Sequence, residues 1–322
     1  MASEQLQQGE TRSVIASTQR VEWQYIGIMF LSSLAGAWAG ILGRLAQGEQ
    51  VPTSYIIAFR QVIGVLVLTP FVLVYYRDTL RHLRKRDILF TAITGFWFAL
   101  HLLVGFGSLE FTTVLVSSVI GGTAPIWIAL IEGFGLRTIL GRQVWFGLWI
   151  TIGGSVMIAI ASATNLSLGS NPVLGALLAL GSALAGAAYS LLGRDARKRM
   201  PLVPFLWLMF VFAAIVACVV VLAQGIPLTG YSAAGYGYML LLVLLAQLVG
   251  HFTYNYVLRR VPATITAVMG QLGVVLAAII AYFLFTEVPG PLEIVGSVII
   301  VVGITIVNLR SHAPPSHAAP PT

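Results

Sequence analysis

Two histidines stand inside long apolar stretches, where titratable side chains are uncommon. His101 and His251 lie 150 residues apart, and an imidazole that titrates near neutral pH can bind a substrate carboxylate or relay a proton. Trp97 and Gln247 precede them by one helical turn on the same faces, and Tyr254 extends the second face by three residues. We predict that all five line a substrate site. The alternative for each histidine is a neutral ring hydrogen-bonded to a neighbouring helix for packing.

Two glycine-rich runs interrupt apolar stretches in corresponding places, at residues 121–125 and 270–273. Proline frees a backbone carbonyl one turn back, and glycine lets another backbone or a ligand approach closely. Paired breaks of this kind point to a binding site near the middle of a membrane, although they also occur where helices flex or pack closely. The predicted break or gating positions are Gly121, Gly122, Pro125, Gly270 and Gly273, with Thr123 and Gln271 as substrate-binding residues.

Four further side chains could take part in such a site. Trp38 and Tyr189 could form an aromatic wall, with plain packing as the alternative. Glu132 could carry a coupling proton together with the two histidines, or be an acid satisfied at the membrane interface. Arg60 could contact an anion in an outward vestibule, extend back to the outer interface, or have a structural role.

The elements that position these residues are ten apolar stretches of membrane-spanning length. The chain of 322 residues is 58% hydrophobic and 9% charged, with a mean hydropathy of +0.91, so its solvent is mostly lipid. A backbone in lipid must satisfy its own hydrogen bonds, which predicts helices. The sequence therefore predicts an all-α membrane protein. The ten predicted transmembrane helices are residues 23–44, 53–76, 88–109, 111–136, 143–161, 172–193, 203–223, 236–258, 262–285 and 291–309.

The basic residues lie on one side of this topology. The chain has 18 Lys and Arg residues and a net charge of +7. All of them except Arg44 and Arg60 precede the first span, follow the last or lie in loops that share one face of the membrane. Short cytoplasmic loops are enriched in Lys and Arg, so both termini are predicted in the cytoplasm, for a multi-pass protein of the cytoplasmic (inner) membrane. The charge requires no nucleic-acid partner.

An internal repeat relates the two halves of the chain. Residues 32–44 and 182–194 are identical at eight of thirteen positions, at an offset of 150. Each half holds five predicted spans, and an odd number inverts the second copy across the membrane, which is the geometry of alternating-access transporters. The predicted parts are a cytoplasmic tail (1–22), a first repeat (23–163), a second repeat (172–309) and a disordered cytoplasmic tail (310–322).

Short motifs add a family resemblance. They are Phe59-Arg60, Pro125, Thr286-Glu287 and the Gly296/Gly303 spacing. Together with the ten-span pattern, these residues make the chain resemble the drug/metabolite transporter superfamily, specifically its EamA-type branch, over about residues 23–309. The resemblance implies a basket-like bundle around a central cavity and, in many members, export of amino acids, nucleosides or drug-like metabolites.

Missing residue types exclude several other activities. The two lysines, Lys85 and Lys198, both lie in loops, so the chain has no ATP-binding phosphate loop. The aspartates Asp78, Asp87 and Asp195 also lie in loops, and no Cys/His spacing suits zinc. We therefore predict a secondary transporter that is not an enzyme and has no cofactor or metal. Its predicted partners are a small-molecule substrate and the lipid bilayer, and its oligomeric state stays open. The alternatives are a membrane-embedded enzyme acting on a lipid or polyprenyl substrate, and a non-transporting scaffold.

Overall fold

The computed structural model describes residues 23–135, 145–147, 149–154, 156–157, 169–258, 273, 276–277, 279–286 and 290–310. Every regular element in these ranges is a helix, in agreement with the predicted all-α class. Six of the described helices are long and apolar enough to cross a membrane. The predicted span 262–285 falls largely outside the described ranges, as do both predicted tails except Arg310, whereas the span 143–161 is described in part and its described residues are helical.

The helices of the first half are α1 (Trp23–Gly48), α2 (Thr53–Tyr75), the short α3 (Arg77–Arg81), α4 (Lys85–Ser108), α5 (Val114–Gly121) and α6 (Ala124–Gly135). Those of the second half are α7 (Pro172–Arg199), α8 (Leu202–Ala223), α9 (Ala233–Leu242), α10 (Phe252–Leu258) and α11 (Pro291–Arg310). A π-helical segment, Val243–His251, connects α9 to α10 without interruption.

The helices follow the predicted spans with two corrections. α7 continues to Arg199, past its predicted end at residue 193, because Lys and Arg are good helix formers and their charge suits a helix C-terminus. The span predicted at 111–136 is divided, since α5 ends at Gly121 and α6 begins at Ala124. The bounds of α1, α2, α4 and α8 agree with prediction to about one turn.

Local residue chemistry explains several helix starts. The Thr113 hydroxyl accepts a hydrogen bond from the Val116 amide at 3.2 Å, and the Ser232 hydroxyl accepts one from the Gly235 amide at 2.9 Å. Such caps satisfy amides that have no partner inside the helix. Proline is the first residue of α7 and of α11, where its missing amide proton costs no hydrogen bond.

The two halves of the chain are interleaved. α4 packs along α7, α1 packs along α9 and the π-helical segment, and α2 packs along α8. Each of these pairs joins a helix of the first half to a helix of the second. Their buried faces form a large apolar core, whereas side chains such as Phe71, Val74 and Leu222 are exposed on the outside of the bundle, as a lipid-facing surface requires.

The ends of the helices form two rims. Residues 49–55 and 224–232 meet at one of them, which we call the outer rim. Three hydrogen bonds of 2.6 Å join its two parts: Ser54 Oγ to Gln224 Oε1, Tyr55 OH to the Leu228 carbonyl, and Ser232 Oγ to Glu49 Oε2. At the opposite rim the Arg199 guanidinium lies 3.5 Å from the Asp87 carboxylate. Each rim is built from loops predicted to share one face of the membrane.

Gly95 sets the distance between α4 and α8. A Cβ at this position would lie 2.7 Å from the Met209 carbonyl oxygen and 2.7 Å from Phe212 Cβ, and a backbone carbonyl cannot move aside without moving its helix. We expect Gly95→Ala to lower the free energy of unfolding by about 1–3 kcal/mol, measured by thermal unfolding of the purified protein in detergent. Gly107→Ala on the same helix is the control, since a Cβ there meets nothing within 4 Å. Equal losses in both variants would contradict the packing explanation.

Candidate functional site

The centre of the bundle holds five aromatic rings from α4, α7, α8 and the π-helical segment. Phe98 is fully buried, and its ring centroid lies 5.5 Å from that of His251, 5.2 Å from Tyr189, 5.9 Å from Phe210 and 6.4 Å from His101. We call these five residues the aromatic cluster. The two histidines, one from each half of the chain, therefore both pack near one phenylalanine.

His101 is held by a serine of α7. Its Nδ1 lies 2.8 Å from the Ser182 carbonyl oxygen, while the Ser182 hydroxyl donates to the His101 carbonyl at 2.9 Å. The Ser182 carbonyl oxygen can only accept, so the neutral imidazole donates to it from Nδ1, and Nε2 is left as an acceptor. The single proton of the Ser182 hydroxyl is used on the His101 carbonyl. Gly186 faces the ring, and a Cβ there would lie 3.1 Å from Nδ1. The close approach of α4 to α7 thus fixes the orientation of the ring.

A similar hydrogen bond is present in the other half. The Ser32 hydroxyl of α1 donates to the Gly250 carbonyl at 3.0 Å. Ser32 and Ser182 are 150 residues apart, and Gly250 directly precedes His251. In each half, therefore, a serine near the start of the repeated motif binds the backbone at or next to a histidine on a helix of the opposite half.

Arg60 lies at the same level of the bundle and is 1% exposed. Its Nε donates to Gln247 Oε1 at 2.8 Å, and its guanidinium carbon lies 5.9 Å from the centroid of the Phe106 ring. Gln61 Nε2 donates to the same Gln247 oxygen at 3.4 Å. Gly64 faces this amide and leaves space for it, because a Cβ at Gly64 would overlap Gln247 Nε2. The alternative of extension to the outer interface is therefore wrong for Arg60.

The described residues around Arg60 provide no negative charge to balance its guanidinium. No Asp or Glu among the described residues forms an ion pair with it, and its electrostatic neighbours are Tyr189, His101 and His251. Two buried amide atoms beside it, Gln247 Nε2 and Gln61 Oε1, have no hydrogen-bond partner. The Arg60 region thus holds an unbalanced charge and unused hydrogen-bonding capacity.

A cavity of about 140 Å³ lies next to the aromatic cluster, between α1, α4, α5 and α7. A protein cavity of about 150 Å³ can hold a molecule the size of benzene. His101, Ser117, Ser118 and Ser182 supply polar lining, and Phe106 supplies much of the apolar lining. The cavity therefore offers both kinds of contact that a small amphipathic solute needs.

Comparison with known proteins shows what this bundle resembles. Residues 173–309, in the second half of the chain, match the model of the EamA-like transporter family.

One relative is the uncharacterized transporter YdfC of Bacillus subtilis (strain 168). It is 25% identical over 281 residues, which cover 87% of this chain and 90% of the relative. A solved crystal structure, titled only as that of a protein, matches with a TM-score of 0.58 and 18% identity, over 86% of this chain and 96% of the other. This match shows a similar fold and nothing about function. The predicted resemblance to the drug/metabolite transporter superfamily is confirmed. With its six described apolar helices and its similarity to transporters, the chain is a multi-pass membrane protein.

The structure brings some of the predicted site residues close together. His101, His251 and Tyr189 lie in the aromatic cluster. Gln247 is hydrogen-bonded to Arg60, and the Arg60 charge is within electrostatic range of both histidines. Gly121 ends α5 and Gly122 follows it, so helix 111–136 is interrupted beside the cavity-lining Ser117 and Ser118. These residues remain a predicted binding site.

Other predicted residues lie elsewhere. Trp97 is partly buried and packs edge-on against the exposed Phe96, with ring centroids 5.8 Å apart. Tyr254 packs in a separate small cluster with Met29 and Val257. The Thr123 hydroxyl donates to the Ile120 carbonyl at 2.6 Å and accepts from the Trp127 indole at 3.2 Å, so it is satisfied within its own helix region. Trp38 is partly buried at the margin of the main core.

The remaining predicted positions are only partly described. Pro125 and Glu132 lie on α6, but their side chains are outside the described part of the chain. Gly273 approaches α1, since a Cβ there would lie 3.2 Å from the Ser33 carbonyl oxygen. Gly270 and Gln271 lie outside the described residues.

Two residues of the site, Ser182 and Phe98, are absent from the predicted set, whereas Arg60 is predicted as a candidate anion contact. Ser182 begins the repeated motif and matches Ser32, so the repeat contains a signal for it. Arg60 is a charge within an apolar span, which is also a functional signal. Phe98 is one of 16 phenylalanines, and nothing in the sequence distinguishes it from the others.

The Arg60–Gln247 contact predicts strong energetic coupling between the two side chains. Gln247→Leu leaves a buried charged donor without its acceptor, so we expect a loss of about 1–3 kcal/mol in the free energy of unfolding. Arg60→Met combined with Gln247→Leu removes donor and acceptor together, and the loss should be smaller than the sum of the two single losses. Thermal unfolding of the four proteins in detergent measures the difference. Strictly additive losses would show that the side chains do not interact.

Proposed function

We propose that the protein is a secondary transporter that moves small metabolites across the cytoplasmic membrane by alternating access. The observation that carries this proposal is the meeting of His101 and His251, one from each half of the chain, around Phe98 and next to a cavity. Polar groups inside membrane helices generally line substrate or proton pathways. A site shared between halves can be opened to either side by moving one half against the other.

The serine hydrogen bonds support an inverted repeat. A bond from Ser182 to the His101 carbonyl and a bond from Ser32 to the Gly250 carbonyl are equivalent contacts if the repeats are related by the predicted pseudo-twofold axis. The same operation exchanges α1 with α7 and α4 with the helix that contains His251. The pairing of α4 with α7 then becomes the pairing of that helix with α1, and both pairings occur.

The outer rim supports a gating role for the outer loops. Its three hydrogen bonds join residues 49–55 of the first half to residues 224–232 of the second. Tyr55 also stacks against Tyr231, with ring centroids 4.8 Å apart. An outward-open state requires these contacts to break, so the rim acts as a gate that closes the bundle on the outer side.

The proposed substrates are amino acids or similar amphipathic solutes. The aromatic cluster and Phe106 offer apolar surface, and the serine hydroxyls and His101 offer hydrogen bonds. Export as the direction, the inner membrane as the location, and cytoplasmic termini follow from the family resemblance and the loop charges. Glu132 and the histidines are the candidates for proton coupling.

Substitution of the histidines tests this function. We expect His101→Ala or His251→Ala to reduce solute transport in proteoliposomes at least about tenfold, which corresponds to about 1.4 kcal/mol, while the protein stays folded. His82→Ala is the matched control because His82 is exposed on a loop outside the spans, and it should transport normally. Wild-type rates in both bundle variants would remove the histidines from the mechanism. An absence of transport by the wild-type protein for every tested solute would favour a scaffold.

Single-cysteine labelling tests the orientation. In a Cys218→Ala background, Leu228→Cys at the outer rim should react with a membrane-impermeant maleimide in intact cells, because the Leu228 side chain is exposed. Arg81→Cys on α3 should react only after the membrane is permeabilised, because α3 lies in a loop rich in basic residues. Labelling of both positions in intact cells, or of Arg81→Cys alone, would contradict the proposed topology.

A further inference from the structure

We propose that Arg60 and Gln247 form the subsite that binds a carboxylate of the transported solute, with Phe106 covering it in the present conformation. This inference rests on the proposed transport function and adds to it the charge of the substrate. It assigns the recognition of charge to α2 and the π-helical segment rather than to the two histidines.

The first step is the charge balance. Arg60 is the one Lys, Arg, Asp or Glu side chain among the described residues that is fully buried. An ion removed from water loses several kcal/mol of solvation unless an opposite charge compensates. The described part of the chain places no carboxylate beside it. A substrate anion would supply the missing opposite charge.

The second step is the direction of the unused hydrogen bonds. The Gln247 oxygen is occupied by Arg60 Nε and Gln61 Nε2, which fixes the orientation of the Gln247 amide. Gln247 Nε2 is left as a buried donor without a partner. The hydrogen bond that the guanidinium makes uses Nε, so its terminal nitrogens also remain as donors. The part of a ligand that meets these donors must itself be an acceptor, which a carboxylate is.

Charge also favours a carboxylate over a phosphate ester. A phosphate ester carries a charge of about −1.5 to −2 at neutral pH, whereas the site contributes a single guanidinium. One carboxylate balances one guanidinium and matches its planar arrangement of donors. The second unpaired amide atom, Gln61 Oε1, is an acceptor and suits an amino or hydroxyl group on the same solute.

Phe106 connects this subsite to the cavity. Its ring lines the cavity and also faces the Arg60 guanidinium at 5.9 Å. The face of an aromatic ring carries partial negative charge and attracts a cation at such distances. The ring therefore provides weak compensation for Arg60 in the present conformation. We expect its displacement to let a solute in the cavity bring its carboxylate to the guanidinium.

The test compares matched acids and amides. The probes are a panel of L-amino acids, hydroxy acids and aromatic carboxylic acids, each with its primary amide, added to the purified full-length protein in detergent. Binding is measured by the rise in unfolding temperature. We expect at least one acid to stabilise the wild-type protein, with an apparent affinity about tenfold or more above that of its amide. The acid-specific stabilisation should disappear in Arg60→Met and be partly retained in Arg60→Lys.

Arg44→Met is the matched control. Arg44 is also an arginine within an apolar helix, but it lies near the end of α1 and its Nη1 binds the Thr112 carbonyl at 3.4 Å. This variant should keep the preference for the acid. The acid–amide comparison on the wild-type protein needs no variant, so a misfolded Arg60→Met would not remove the test.

Three results would overturn the inference: amides that stabilise as well as acids, an undiminished acid response in Arg60→Met, or no response to any acid of the panel. Transport assays separate this failure from a failure of the proposed function. If proteoliposomes transport an amide or another uncharged solute and do not transport its acid, the protein is a transporter without a carboxylate subsite. If they transport neither and no probe binds, both proposals fail.

Discussion

A guanidinium enclosed by apolar helices has to be solvated by the protein itself, because neither lipid nor bulk water reaches it. For Arg60 this solvation comes from the Gln247 amide and from the ring of Phe106. The requirement constrains its surroundings. Position 64 must be glycine-sized because the Gln247 amide fills the space beside it, and α2 must turn its Arg60 face toward the second half of the chain. The polar centre of the bundle is organised around this one charge.

The helix that provides Gln247 and His251 differs from its counterpart in the first half. Residues 243–251 are wound as a π-helix, whereas α4 remains α-helical on both sides of His101. π-Helical turns have one more residue between donor and acceptor than α-helical turns and are frequently found at functional sites. The halves therefore share the serine hydrogen bonds but not the winding at their histidines, and the amide that faces Arg60 comes from the half that departs from regular geometry.

Hydropathy predicts most of the described helices because lipid restricts the backbone to helices of a set length. The approach of His101 to His251 is also predictable, since corresponding positions near the middle of two helices related by the predicted inverted repeat both lie close to the midplane. The Arg60–Gln247 contact cannot be predicted in this way, because it depends on which faces of α2 and of the π-helical segment are turned toward each other. When nearly every face of a helix is apolar, the pattern contains little information on rotation. The step from His251 to Tyr254 crosses the end of the π-helical segment, where the 3.6-residue period used for the prediction no longer applies.

The contact at Gly95 limits how this molecule can move. The α4 backbone lies so close to the Met209 carbonyl of α8 that not even a methyl group fits between them. Helices in such contact cannot shear past each other without a collision of their own main chains. We therefore expect α4 and α8 to move together, with Phe98, His101 and Phe210. In the proposed transport cycle, bending would then have to occur outside this pair, for example at the gap between α5 and α6.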